Sequence, residues 1–168
     1  MDILLVRHGI AVERGTPGYE DDSLRPLTPA GRERMVEAAR GLERLFTPQA
    51  ILTSPLVRAA QTADILQAVY RLGKPQTCRE LANGDHPGVI ARLEECDAGS
   101  IALVGHEPWM GELLSLLLSG YVSAVEATFK KGACALVRTS DLRPGNCWLE
   151  WLIQPAALRR IAQASTAS

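Results

Sequence analysis

Apolar positions along this chain fall into short continuous runs and helical stripes that alternate. Ile3, Leu4, Leu5 and Val6 form an unbroken run, the pattern of a strand over residues 2–6 buried on both faces. Residues 10–27 are polar and rich in Gly, Pro and acids, which predicts a loop. Thr28 followed by Pro29 signals a helix start, and Met35, Ala38, Ala39, Leu42 and Leu45 then recur at spacings of three and four. Residues 50–53 read as a short strand. Ser54 and Pro55 repeat the cap-then-proline signal for a second helix reaching about Leu72, and a third strand is expected near residues 76–78. Asp85 is placed to cap a short helix over residues 87–95. Residues 101–105 read as another buried strand, and residues 108–118 as a helix with Met110, Leu113, Leu114 and Leu117 turned inward.

Strands that alternate with helices predict a three-layer α/β/α sandwich around a mostly parallel sheet. The chain closes differently. Residues 133–138 and 146–153 flank Arg143-Pro144-Gly145-Asn146, whose Pro-Gly pair suits a type II turn. An antiparallel hairpin at or near one edge would make the sheet mixed. The Ala-, Arg- and Ser-rich stretch after Pro155 predicts a short helix that frays. With no internal repeat and no linker, residues 1–168 form a single domain.

Composition constrains the partners. A formal charge of -1 offers no bulk attraction for nucleic acid or an anionic membrane, so neither is an expected partner and any anion site must be local. Cys78, Cys96, Cys134 and Cys147 contain no Cys-x-x-Cys pair and do not cluster with the histidines, which disfavours zinc and dithiol chemistry and predicts reduced, structural cysteines. Asp2 stands where a signal peptide would be basic, and Arg7 interrupts the first apolar run. The greasiest stretch, residues 109–118, carries Gly111, Glu112 and Ser115 and is too short to span a bilayer. A cytoplasmic protein is expected.

Chemistry concentrates at three strand-to-helix junctions. Arg7-His8-Gly9 stands at the first, Thr53-Ser54-Pro55-Leu56-Val57-Arg58-Ala59-Ala60-Gln61-Thr62 at the second, and Val104-Gly105-His106-Glu107-Pro108 at the third. In a parallel sheet these ends share one edge, where open α/β sheets put their ligands. Arg7, His8, Arg58 and His106 can therefore converge, and two arginines with two histidines point to an anion. With Ser54 as cap, Arg58 falls in the first helical turn beside unpaired backbone N–H groups, and its planar fork suits two phosphate oxygens. His86, before Pro87, reads as a surface residue. Trp109 and Lys130-Lys131 could shape docking, although core packing for the first and solvated charge for the second are the simpler readings.

Taken in order, Leu-Leu-Val-Arg-His-Gly, Thr-Ser-Pro-Leu-x-Arg-Ala-x-Gln-Thr and Val-Gly-His make this chain resemble the histidine phosphatase superfamily, the phosphoglycerate-mutase-like fold. The match runs over most of the chain and fades after about Pro155. The compact length, Leu24-Arg25-Pro26-Leu27-Thr28-Pro29-Ala30-Gly31 and Gly105-His106-Glu107-Pro108 resemble the SixA-type phosphohistidine phosphatases in particular, with no large lid insertion. The resemblance implies that His8 is a nucleophile carrying phosphate covalently. It also implies that Arg7, Arg58 and a protonated His106 surround the phosphoryl oxygens, with Arg25 a further phosphate ligand or a salt-bridged loop residue. Glu80 and Asp22 are the candidate proton donors. Neither a cofactor nor a metal is expected. A phosphoramidate whose leaving nitrogen is protonated needs no strong acid, which favours a phosphohistidine-bearing protein as substrate. A small phosphomonoester is the alternative, and a noncatalytic phosphate- or phosphoprotein-binding module a more distant one.

Overall fold

In a computed structural model, which describes residues 1–164, six strands form one mixed sheet. They are β1 (Asp2–Arg7), β2 (Ala50–Thr53), β3 (Gln76–Thr77), β4 (Ser100–Gly105), β5 (Cys134–Arg138) and β6 (Trp148–Ile153), in the order β3-β2-β4-β1-β5-β6. The first four run parallel, and β5 and β6 are antiparallel additions that put the hairpin at the edge. Between its strands Asn146 N–H donates to the Arg143 carbonyl at 3.0 Å, with Gly145 at φ +79°, as a type II turn over Pro144-Gly145 requires.

Period-two alternation splits the core. Leu4 and Val6 pack on one face with the apolar stripes of α1 (Pro29–Glu43) and α2 (Val57–Tyr70) and with Leu158 of α5 (Pro155–Gln163). Ile3 and Leu5 pack on the other with α3 (His86–Glu94), α4 (Trp109–Ser119) and Phe129. Three layers result.

Caps decide where the helices begin. Thr28 Oγ1 accepts from Gly31 N–H at 2.9 Å, and Asp85 Oδ1 from Gly88 N–H at 3.0 Å, so both expected caps are present. At Ser54 the outcome differs. α2 starts two residues later at Val57, with Leu56 in the cap position and no side-chain cap bond. Ser54 Oγ accepts from Leu56 N–H at 3.3 Å in the turn ahead of the helix and lies 2.8 Å from His106 Nε2. The loop between β1 and α1 is more structured than its composition predicts. It holds an isolated bridge between Ala11 and Leu27 and a short 3-10 turn over Asp22–Leu24 capped by Asp21. The stretch after Pro155 is likewise a packed helix, with Leu158 buried against α1; the last four residues of the expected fraying tail lie outside the described residues. All four cysteines are free. Among the described residues no helix is long and apolar enough to cross a membrane.

Candidate active site

Sheet register brings the three junctions together. Arg7 pairs with Gly105 across β1 and β4, and Thr53 with Val104 across β2 and β4. The next residues, His8, His106 and Ser54, are therefore neighbours just past the strand ends. His8 N–H donates to the Gly105 carbonyl and Ser54 N–H to the Val104 carbonyl, each at 3.0 Å, extending the ladder one step. The imidazoles of His8 and His106 face each other at a centroid distance of 5.1 Å, both buried.

The His8 ring is fixed in one tautomer. Its Nδ1 lies 2.7 Å from the Gly9 carbonyl oxygen, which can only accept, so Nδ1 carries the proton and Nε2 holds the free lone pair. Burial, then the neighbouring His106 and the charges of Arg58 and Arg7, push the imidazole down to about 3, against a weaker opposing effect of the Gly9 hydrogen bond. His8 is neutral at every ordinary pH. Gly9 is held in turn, since its N–H donates to Thr62 Oγ1 at 3.1 Å while that hydroxyl donates to the Arg58 carbonyl at 2.7 Å. Thr62, one turn after Arg58, thus ties the helix carrying the arginine to the loop carrying the histidine.

His106 is lowered to about 4, by burial first and then by Arg58. In the unliganded protein at neutral pH the imidazole is therefore neutral. Its Nε2 is 2.8 Å from Ser54 Oγ, while its Nδ1 is buried with no hydrogen-bond partner. At these junctions two further buried nitrogens lack hydrogen-bond partners, Arg7 Nε and Arg58 Nε; elsewhere Tyr70 OH and Arg138 Nε do too. Orphaned buried polar atoms are costly, and three of them at the junctions around His8 suit a ligand with acceptor oxygens.

Asp22 organises the cations. Its carboxylate accepts from Arg58 Nη2 at 3.0 Å, Arg25 Nη2 at 2.8 Å and Arg14 Nε at 2.9 Å, and its backbone carbonyl takes Arg58 Nη1 at 2.7 Å. Burial raises its pKa, but the hydrogen bonds from Arg14 and Arg25 and the charge of Arg58 together outweigh that and hold it at about 2. An acid this strong has no proton to give at neutral pH. Arg25 is buried and bound to Asp22 and to the Val12 carbonyl, so it joins the cluster through the salt-bridged arrangement. Glu80 shares no hydrogen bond or ion pair with His8, His106, Arg7 or Arg58 among the described residues. Its carboxylate accepts from the Cys78 thiol at 3.2 Å and is held below its usual range by its own backbone N–H and by that thiol. His86 is a correction too: it is buried and its Nε2 meets Glu112 Oε2 at 3.1 Å, between α3 and α4.

Sequence reasoning assigned a phosphate-binding role to Arg58 in the second junction, took Ser54 as a helix cap and left Gln61 and Thr62 unassigned. Ser54, Gln61 and Thr62 bind His106, the Leu27 N–H and the Gly9 N–H respectively. At the third junction Glu107 was also missed: its carboxylate accepts from Gly111 N–H at 3.1 Å and Phe129 N–H at 2.9 Å, while the Phe129 carbonyl takes Arg7 Nη1. The only signal available for these contacts was that polar residues recur beside each strand end. Among the described residues no three His, Cys, Asp or Glu side chains are grouped to hold a metal ion.

Residues 3–99 match the Histidine phosphatase superfamily (branch 1). The chain belongs to this superfamily. A protein of Picosynechococcus sp. (strain PCC 7002) without a characterised function is 39% identical over 125 residues, covering 71% of this chain and 74% of that protein. Among solved structures, the protein histidine phosphatase SixA complexed with tungstate superposes with a TM-score of 0.81 at 27% identity, covering 94% of this chain and 99% of SixA. The alpha-ribazole phosphatase from Shigella flexneri shares the fold at 17% identity, with a TM-score of 0.72 and coverage of 92% and 97%. This superfamily member is a SixA-like phosphatase with the mixed-sheet sandwich, and among the described residues no large insertion lies over the strand ends.

Proposed function

We propose that the protein removes phosphate from phosphohistidine on a protein through a covalent intermediate on His8. The observation that carries this reading is the tautomer of His8, whose Nδ1–H is given to Gly9 and whose Nε2 lone pair is free beside the partnerless nitrogens of Arg7, Arg58 and His106. Nε2 attacks phosphorus and the bond from phosphorus to the substrate's imidazole nitrogen breaks. A substrate imidazole protonated on its other ring nitrogen leaves as the neutral base. Water then attacks the phosphorus on His8, giving inorganic phosphate and restoring the neutral ring. Arg7 and Arg58 stabilise the charge on the equatorial oxygens. An incoming dianion raises the affinity of His106 for a proton, so that it binds as the imidazolium. Arg25 acts through Asp22 by holding Arg58 in place.

Two features favour a phosphoramidate over an ester. Asp22 is ionised by its arginines, and Glu80 is an ionised carboxylate engaged by Cys78, so neither supplies the strong acid that an alcohol leaving group needs. The likeness to SixA, a protein histidine phosphatase, supports the same substrate class. Steady-state assays on a phosphohistidine peptide and on an alkyl phosphate monoester, each with a His8→Ala control, test the reading. It predicts a much higher kcat/KM for the peptide and loss of both activities in the variant. Faster turnover of the alkyl ester would assign the protein to small-molecule chemistry, and phosphate release from neither would leave a binding module.

A further inference from the structure

Arg7 lies on the boundary between two cavities of opposite character. One, about 560 Å³, is lined by Arg7 and Gly9 together with Arg34 of α1, Lys130, Lys131 and Arg159 of α5, and contains no acid in its lining. The other is lined by Arg7 with Glu107, Glu112 and Glu126. The chain as a whole carries a formal charge of -1, so this separation is local to the face that bears His8.

The basic cavity is coupled to the nucleophile through the backbone. Gly132 N–H lies 3.1 Å from the Arg7 carbonyl and 3.0 Å from the His8 carbonyl, which holds the Lys130-Lys131 turn against the residues that do the chemistry. Arg34, Lys130 and Lys131 are exposed and have no ion-pair partner among the described residues, and Arg159 has Glu37 at 3.8 Å. Unpaired cations crowded into one concavity repel one another, a cost that a bound anionic partner relieves.

We propose that this cavity docks an acidic segment of the phosphorylated protein, and that the acidic cavity across Arg7 sets the direction in which the segment lies. The inference rests on a protein-borne phosphate being the substrate. Exposure of the cations is what favours a polypeptide over the second anionic group of a small molecule. A small dianion is gripped by buried, pre-oriented donors such as Arg58 and His106, whereas exposed cations such as Lys130 and Lys131 suit a solvated chain held by several weak contacts. Reversed docking would put the segment's carboxylates against Glu107, Glu112 and Glu126.

The test uses the full chain, the double variant Lys130→Glu/Lys131→Glu and, as a second variant, Arg34→Gln. The probes are two phosphohistidine peptides that differ only in having four Glu or four Gln on one flank, their unphosphorylated forms, p-nitrophenyl phosphate and 3-phosphoglycerate. The unaltered protein should prefer the Glu peptide in kcat/KM by about tenfold, with a preference that shrinks as salt rises. The double variant should lose that preference, and Arg34→Gln should reduce it. Turnover of p-nitrophenyl phosphate reports whether each variant is folded. Equal use of the two peptides by the unaltered protein, or a preference that survives in the double variant, overturns the proposal. A loss confined to 3-phosphoglycerate also overturns it, by assigning the cavity to a small molecule. If neither peptide is dephosphorylated, fluorescence anisotropy of the unphosphorylated forms separates the two claims. Tighter binding of the Glu form that the double variant abolishes keeps the docking surface and removes phosphohistidine as the substrate.

Discussion

Asp22 illustrates how one carboxylate can shape a cationic site by holding three arginines at once. It spreads one negative charge over Arg14, Arg25 and Arg58 and leaves Arg58 Nε unpaired. Replacing it by Asn should lower kcat by about tenfold, because Arg58 is no longer held in its bidentate geometry. The loss should be the same for p-nitrophenyl phosphate and for an alkyl phosphate. A loss confined to the alkyl ester would instead show that Asp22 delivers a proton to a poor leaving group. His8 carries a second prediction at this scale. Because burial and its neighbours hold it at about 3, kcat/KM corrected for substrate ionisation should show no fall from pH 7 down to about 5, and proton uptake by His106 on binding should raise it. A fall centred near pH 6.5 would mean that the nucleophile titrates as an ordinary imidazole.

Helix ends and helix contacts decide how the layers hold the site. Gly41 sits where α1 crosses α5 so closely that a Cβ would collide with the Leu158 backbone carbonyl. Gly41→Ala gains helix propensity of about 1 kcal/mol and should nevertheless lower stability by roughly 1–3 kcal/mol, since backbone must move to admit the methyl. A denaturant melt with unchanged or higher midpoint would show that α5 does not pack as tightly as described. Local sequence chemistry was enough to place most elements. Thr28-Pro29 and Asp85 announced α1 and α3 because a cap and its N–H lie within three residues. Ser54-Pro55 placed the start of α2 two residues early, since Ser54 Oγ closes a turn onto Leu56 N–H before the helix begins at Val57, while its other partner, His106, is 52 residues away. The same distance rule explains the site. The three junctions were legible from motifs and from the sheet they imply. The Asp22 hub, the bond from Thr62 to Gly9 and the burial of His86 against Glu112 depend on long-range packing that no local pattern records.

At the scale of the whole molecule, the site imposes an acid liability on the fold. His8 and His106 are held at about 3 and about 4 when folded and return to the ordinary imidazole value of about 6.5 when unfolded. The unfolded chain therefore binds more protons between those limits, and stability must fall as pH drops from about 6.5 towards 4. Asp22, lowered to about 2, adds its own loss only below about 3.8. Thermal midpoints should decline over the first window in the unaltered protein and decline less in His8→Gln. A midpoint that holds steady from pH 6.5 to 4.5 would show that the imidazoles are not buried as neutral groups. The account as a whole stands on phosphate bonded to Nε2 of His8. Mixing excess protein with a radiolabelled phosphohistidine peptide, quenching in alkali where phosphorus–nitrogen bonds survive, and mapping the label addresses that directly. The predicted result is label on His8, attached at Nε2, within the first turnover and absent from His8→Asn. Label on another residue, or an unimpaired first turnover in His8→Asn, would contradict it.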